Sequence, residues 1–435
     1  MSNEALAYEA EAETGARALA PLDAGDAQSD NNERARPIPR ISIQAFCEDP
    51  STAEAIQHAA EDRRLAKAHV SVHMGGAQAA VAHYEESPTP NLIVLESTLG
   101  RGEMLFELER LAECCDAGTK VIVIGHINDV VLYRELLKRG VSEYLVAPIS
   151  PIQFMESISN LYNDPDTDPV GHVITFVGAK GGVGSSTVCH NTAWVISEML
   201  KSDVVITDFD LAFGTAGLDF DQDPVQGIAD ALSTPERLDE VLLDRLLTKC
   251  SEHLSLFAAP VLLDRDYDMS PDACDLVVDV VRQNVPYVAI DMPHVWTSWA
   301  KRVLLQSDEI VVTAIPDLAN MRNAKNLFDL IRQSRDNDAP PHLVMNMINT
   351  PKRPEISVKE FAGALGVEPA VVIEHDPETF GLASNNGQMV QEAAAKAKAT
   401  QNFRDLALRL THRTETKVEK KSSLGPLLER FKLKR

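Results

Sequence analysis

The chain has 435 residues, 44% of them hydrophobic, and a formal net charge of −24 at pH 7. That length leaves room for two domains and tails at about 100–200 residues per domain, and the acidic balance argues against non-specific DNA binding, so no nucleic acid is expected as a partner. Cys47, Cys114, Cys115, Cys189, Cys250 and Cys274 form no C-x-x-C pair, no basic segment precedes an apolar run at the start, and no apolar stretch approaches the ~20 residues of a spanning helix, which together predict a cytoplasmic protein or one bound to the membrane from the cytoplasmic side.

Residues 1–39 are rich in Ala, Glu and Asp, a composition that cannot bury enough surface to offset ordering entropy, so disorder is expected there. Residues 40–162 carry a first alternating pattern. Short apolar runs at 41–47, 70–73, 91–95, 120–124 and 143–146 read as strands, with amphipathic stretches at 52–66, 104–115 and 129–139 between them. Five strands alternating with helices predict a small, doubly wound, flavodoxin-like α/β domain. Residues 163–170, polar and Pro-punctuated, read as a linker.

Residues 171–411 carry a second and larger α/β pattern. Its strands are expected at 172–178, 203–207, 255–258, 287–290, 309–314, 342–346 and 371–373, in near-continuous apolar runs that suit a mainly parallel sheet buried on both faces. Residues 412–435 are basic. There Leu424, Leu427, Leu428 and Phe431 fall on one helical stripe beside Arg430, Lys432, Lys434 and Arg435. A helix that docks on an anionic membrane surface is one reading; a solvated basic tail, or one that docks on a partner, is as good.

The most telling segment is Gly178–Thr187, G-A-K-G-G-V-G-S-S-T, set between an apolar run and a helix-like stretch at 188–200. Strand, Gly-rich turn and helix are the parts of a phosphate-binding loop, whose backbone N–H groups from Gly181 through Gly182, Val183, Gly184, Ser185 and Ser186 would cradle phosphates. The usual G-x-x-x-x-G-K-[ST] pattern wants Lys where this chain has Ser185, and Gly where it has Ala179; another lysine, Lys180, sits early in the loop. Ser186 stands where such a loop places the hydroxyl for Mg²⁺. Asp208, Asp210 and Asp291 follow strands at the same sheet edge, the usual second anchor for a hydrated Mg²⁺. ATP and Mg²⁺ are the expected ligands.

K-G-G-V-G-x-[ST]-T after a strand, D-F-D after the next and a later strand ending in D-x-P resemble the MinD/ParA family of deviant P-loop ATPases over roughly 171–411. The stretch ending at Ala324, with Pro316 and Arg322, resembles that family's strand–loop–helix; L-V-M-N, ending at Asn346, resembles the strand whose Asn approaches the adenine; A-S-N-N-G at 383–387 resembles a helix start. The resemblance implies a homodimer in which Lys180 reaches the partner's phosphates, Gly182 allows close approach of the subunits, Asp210 sits by the attacking water and Asp208 sits near the metal. Val183 and Thr187 complete the loop, and Arg322 and Asn346 join the nucleotide site. With Ser185 in place of lysine, a neutral hydrogen bond replaces a charge-assisted one about twice as strong, so weak or slow hydrolysis is expected.

Residues 41–162 resemble a response-regulator receiver domain. Glu48 and Asp49 follow its first strand, but the phosphoacceptor position falls on Glu96, the Thr/Ser position on Gly125 and the Lys position on Ala147 before Pro148. That pattern predicts a degenerate receiver used for docking or dimerisation; a bland acidic loop accounts equally well for Glu48 and Asp49. Such a domain joined to a MinD/ParA-like one resembles the CpaE/TadZ family of tight-adherence (Flp-type) pilus assembly proteins. That resemblance implies a pilus secretion ATPase and inner-membrane platform proteins as partners. A ParA-type DNA-partition ATPase and a non-hydrolysing scaffold are the alternatives.

Overall fold

The computed structural model describes residues 19–21, 38, 41–85, 87–116, 118–162, 170–260, 262–263 and 267–415. The linker at 163–169, the amphipathic stripe of the basic tail and most of 1–39 lie outside the described residues. Within 1–39, strand β1 (Leu19–Pro21) pairs antiparallel with the last strand, β15 (Arg413–Glu415). Ile38 is already part of the first domain's core, 1% exposed, with its N–H donated to Arg64 O.

The first domain is built on β2 (Ser42–Cys47), β3 (His69–Met74), β4 (Leu92–Ser97), β5 (Lys120–Gly125) and β6 (Glu143–Val146). They pair in the order β3-β2-β4-β5-β6, all parallel. The expected helix at 52–66 is split: an α-helix runs Pro50–Ala60, and Arg63–Leu65 form a single 3₁₀ turn. Asp49 caps the first with a bond from Ser51 N, and Asp62 starts the second with a bond from Arg64 N, so a second acidic cap begins a new element where the periodicity alone reads as continuous.

The second domain has an eight-stranded sheet of β7 (His172–Gly178), β8 (Val204–Asp208), β9 (Thr248–Lys249), β10 (Leu254–Phe257), β11 (Tyr287–Asp291), β12 (Glu309–Ala314), β13 (His342–Ile348) and β14 (Val371–Glu374). The order is β14-β13-β12-β7-β11-β8-β10-β9, parallel except for the β9–β10 hairpin. That hairpin is too short for an alternating pattern to reveal. Along β7, Val173 and Val177 enter one apolar core while Ile174 and Phe176 enter the other, so the strand is buried on both faces by helices. Each large side chain so buried contributes about 1.5–3 kcal/mol, and the central position of β7 brings its carboxyl end to the middle of the sheet edge.

The segment 383–387 corrects one expectation. It ends a helix, Pro377–Asn385, rather than starting one: Asp376 and Pro377 supply the N-terminal cap, and Gly387 takes a left-handed φ of 60° just past the end. The two domains meet through buried charge. Arg63 donates to Asp308 Oδ1 (3.0 Å) and Asp338 Oδ2 (2.9 Å), Arg64 pairs with Asp338, and Asn337 donates to Asp62 (3.2 Å).

Candidate nucleotide and metal site

After β7 the chain turns through residues 179–184 and enters a helix, Ser185–Leu200. Gly182 (φ 77°) and Gly184 (φ 84°) are left-handed, and a Cβ on Gly178 would come within 2.8 Å of Lys180 O. Neighbours pin the turn. Ala179 N donates to Thr313 O (2.8 Å), Asn323 Nδ2 to Ala179 O (2.9 Å) and Asn346 Nδ2 to Val183 O (2.8 Å). The first N–H groups of the helix have no intrahelical partners and carry the positive end of its dipole, which favours an anion. Ser185 Oγ is enclosed with no hydrogen-bond partner. Ser186 and Thr187 sit half-buried in the first turn, while Lys180, Gly181 and Gly182 are exposed.

Two carboxylates lie below this turn. Asp208 ends β8 and Asp291 ends β11, paired in register and 1% and 2% exposed. Burial, and then the charge of Asp291, push the Asp208 carboxyl up to about 7. Asp208 Oδ1 accepts from Asp210 N (3.0 Å), and a Cβ at Gly214 would overlap its carboxylate. Asp291 Oδ1 is buried without a partner. Asp210 lies in the loop beyond β8 rather than in the strand; its carboxyl accepts from Phe213 N (3.1 Å) and is raised by burial.

A buried imidazole stands beside the pair. His190, fully enclosed on the P-loop helix, has Nδ1 2.7 Å from Asp219 Oδ2 and Nε2 3.3 Å from Asp291 Oδ2. Burial alone would lower its pKa, but hydrogen bonding and charge from Asp219 and Asp291 outweigh it and push it up to about 10. This cation offsets part of the carboxylate charge. The remainder, an unpartnered oxygen and a carboxyl that resists ionisation, fits a small hard divalent cation held by oxygen donors.

Next to the turn opens a cleft of about 320 Å³. Gly184, Thr187 and Asn191 form one side, Asn346 and Met347 another, and Asp376, Pro377 and Phe380 a third. Asp219 and Glu374 add acidic groups at its rim. An apolar slot with carboxylates, opening from a helix N-terminus, has the shape and chemistry for the base and sugar of a nucleotide. Asn346 lines it, with its amide spent on Val183 O and its Oδ1 on Met347 N (2.9 Å).

Residues 180–187, Asp208, Asp291 and Asn346 thus come together, and Asp210 borders them. Arg322 stands apart: it is exposed, and its guanidinium donates to Asn323 Oδ1. Asn323 makes the loop contact instead, because its side chain faces Ala179 across from β12. Sequence reasoning missed His190, Asp219, Gly214 and the cleft wall at 374–380. A His-Asn pair inside an otherwise apolar helical run was the readable signal for His190.

The fold and this site define a P-loop α/β protein. No protein-family model matches the chain. A ParA-family ATPase from Chlorobium tepidum shares the fold, with a TM-score of 0.51 and 24% identity over 55% of this chain and 98% of its own. The septum site-determining protein MinD of Helicobacter pylori is 24% identical over 247 residues, 53% of this chain and 88% of its own. A pilus assembly protein CpaE from Caulobacter crescentus is 49% identical over 98% of its length and 30% of this chain, with a TM-score of 0.29. On the strength of that identity the chain belongs to the CpaE-like members of the MinD/ParA family.

In the first domain the corresponding strand end is filled by the chain's own side chains. Glu96 is completely buried; its Oε2 accepts from Glu48 N and Asp49 N (both 2.8 Å), and its Oε1 accepts from Thr52 Oγ1 (2.7 Å) and meets His126 Nε2 (3.1 Å). Glu48 Oε2 is occupied by Thr98, and Asp49 by its helix cap. At Gly125 a Cβ would overlap the Tyr144 hydroxyl, which donates to Ile127 O (2.8 Å).

Proposed function

We propose that the chain binds ATP with Mg²⁺ and dimerises around it, hydrolyses it slowly, and acts as a localisation and assembly factor in tight-adherence (Flp-type) pilus biogenesis. The observation that carries this reading is the buried Asp208–Asp291 pair under a pinned anion cradle. Family membership supports the pilus role, with the secretion ATPase and inner-membrane platform proteins as partners. Ser186, Asp208 and Asp291 hold Mg²⁺, which when bound neutralises phosphate charge. The loop N–H groups orient the phosphates, and Asp210 holds the attacking water. Lys180 acts on the partner's nucleotide; its exposure, and the open space where a Cβ on Gly181 would lie, support this.

Light scattering after size exclusion tests the dimer. Wild type shifts from monomer to dimer with ATP and Mg²⁺, and Lys180→Ala stays monomeric. A wild type that remains monomeric under those conditions removes the proposal. Among the described residues no helix is long and apolar enough to cross a membrane. We further propose that the basic tail docks on an anionic membrane surface, and sedimentation with anionic vesicles, with and without Leu428→Glu and Phe431→Glu, tests it; equal binding by the variants removes that part of the reading.

A further inference from the structure

We propose that His172, Glu309 and His412 form a binding site for a divalent metal ion of the zinc class, at the end of the large sheet opposite the P-loop. One ligand atom from each residue lies within 4.8 Å of the others, and among the described residues no other such set of His, Cys, Asp or Glu is found. His172 opens β7, Glu309 opens the neighbouring parallel strand β12, and His412 follows the last helix of the domain, Lys398–Leu410. The site therefore joins the start of β7 and β12 to the turn between that helix and β15.

The side chains converge on one place. His412 Nε2 is 3.1 Å from Glu309 Oε1, a separation that suits two ligands of one tetrahedral ion. The rings of His172 and His412 meet edge-on, with centroids 6.0 Å apart and planes crossed at 81°. His172 Nε2 is enclosed with no hydrogen-bond partner. His412 is held at a left-handed φ of 51°, which a residue with a side chain keeps only when its surroundings fix it.

An outer layer is also present. His342 Nε2 lies 2.8 Å from Glu309 Oε2, the oxygen turned away from His412, and so orients the carboxylate. Asp308 Oδ2 lies 3.9 Å from His172 Nδ1. Glu309 is buried, 7% exposed. Two imidazoles and one carboxylate match three-ligand zinc sites with a fourth position for water, and nitrogen ligands disfavour Mg²⁺ and Ca²⁺.

The test uses untagged, full-length protein stripped with a chelator and titrated with Zn²⁺ by calorimetry and with Co²⁺ by absorption. One equivalent should bind per chain, raise the melting temperature, and give a Co²⁺ spectrum without a thiolate charge-transfer band. His412→Gln, at a partly exposed position, should abolish that equivalent while keeping the melting temperature of the metal-free wild type. His342→Gln should weaken binding by about 10–100-fold, as outer-layer losses do. Absence of Zn²⁺ binding, binding that survives His412→Gln, or a thiolate band overturns the proposal and leaves a hydrogen-bonded His–Glu network. None of these readouts depends on ATP.

Discussion

Glu96 and the Asp208–Asp291 pair occupy similar places, at the carboxyl ends of central strands in two parallel sheets, yet the protein treats them in opposite ways. Glu96 receives two backbone N–H bonds and a threonine hydroxyl, and a histidine ring stands against its other oxygen. Asp208 and Asp291 face each other; Asp208 accepts from Asp210 N and, at 3.5 Å, from Ala216 N yet is still raised to about 7, Asp291 keeps an unpartnered oxygen, and His190 is the cation beside them. A buried carboxylate saturated by its own chain is a structural tie. A buried pair left short of positive charge is stabilised by something the chain does not supply.

The largest effect that would break this contrast comes at Asp291. Asp291→Asn should weaken ATP binding in Mg²⁺ by at least about 100-fold, beyond the range for outer-layer partners, as read by fluorescent-nucleotide titration. His190→Leu should raise the Mg²⁺ needed for half-maximal ATP binding by about 10–100-fold and leave binding in EDTA nearly unchanged. Glu96→Gln should leave nucleotide binding alone but cost about 1–3 kcal/mol in urea unfolding, because a charged acceptor with buried donors is lost. Acetyl phosphate should add no mass to Glu96 in the intact protein.

Proton linkage gives a smaller effect with a definite sign. The folded pKa of Asp208 is raised, so this group favours the folded state when protonated and costs stability as pH rises from about 4 to about 7. His190, raised to about 10, contributes stability that is lost as pH rises from about 6.5 through 10. Asp208→Asn should therefore melt higher than wild type at pH 7 without Mg²⁺, and the gap should close toward pH 4. Smallest of all, Ser185→Lys should speed ATP turnover by up to about tenfold, equivalent to about 1.4 kcal/mol; no change would place the slow step elsewhere.

The parallel sheets were legible because fully buried strands write continuous apolar runs, and the loop because glycine at 182 and 184 answers a backbone need. Asp208 and Asp291 were legible because a strand end at the ligand edge fixes their place. His190 was not, since nothing local says that a histidine twelve residues after Gly178 will meet two carboxylates from later segments. The saturation of Glu96 was equally hidden: its partners come from residues 48–52 and 126, and only the fold brings them together. Arg322 shows the converse, a motif position whose neighbour, Asn323, makes the contact.

Calorimetric titration of the wild-type protein with ATP, in Mg²⁺ and in EDTA, alongside Asp208→Asn, tests the central claim most directly. The predicted result is one ATP per chain, bound more tightly with Mg²⁺, with the Mg²⁺ advantage erased in the variant. Absence of ATP binding, or equal affinity in Mg²⁺ and EDTA, would contradict it.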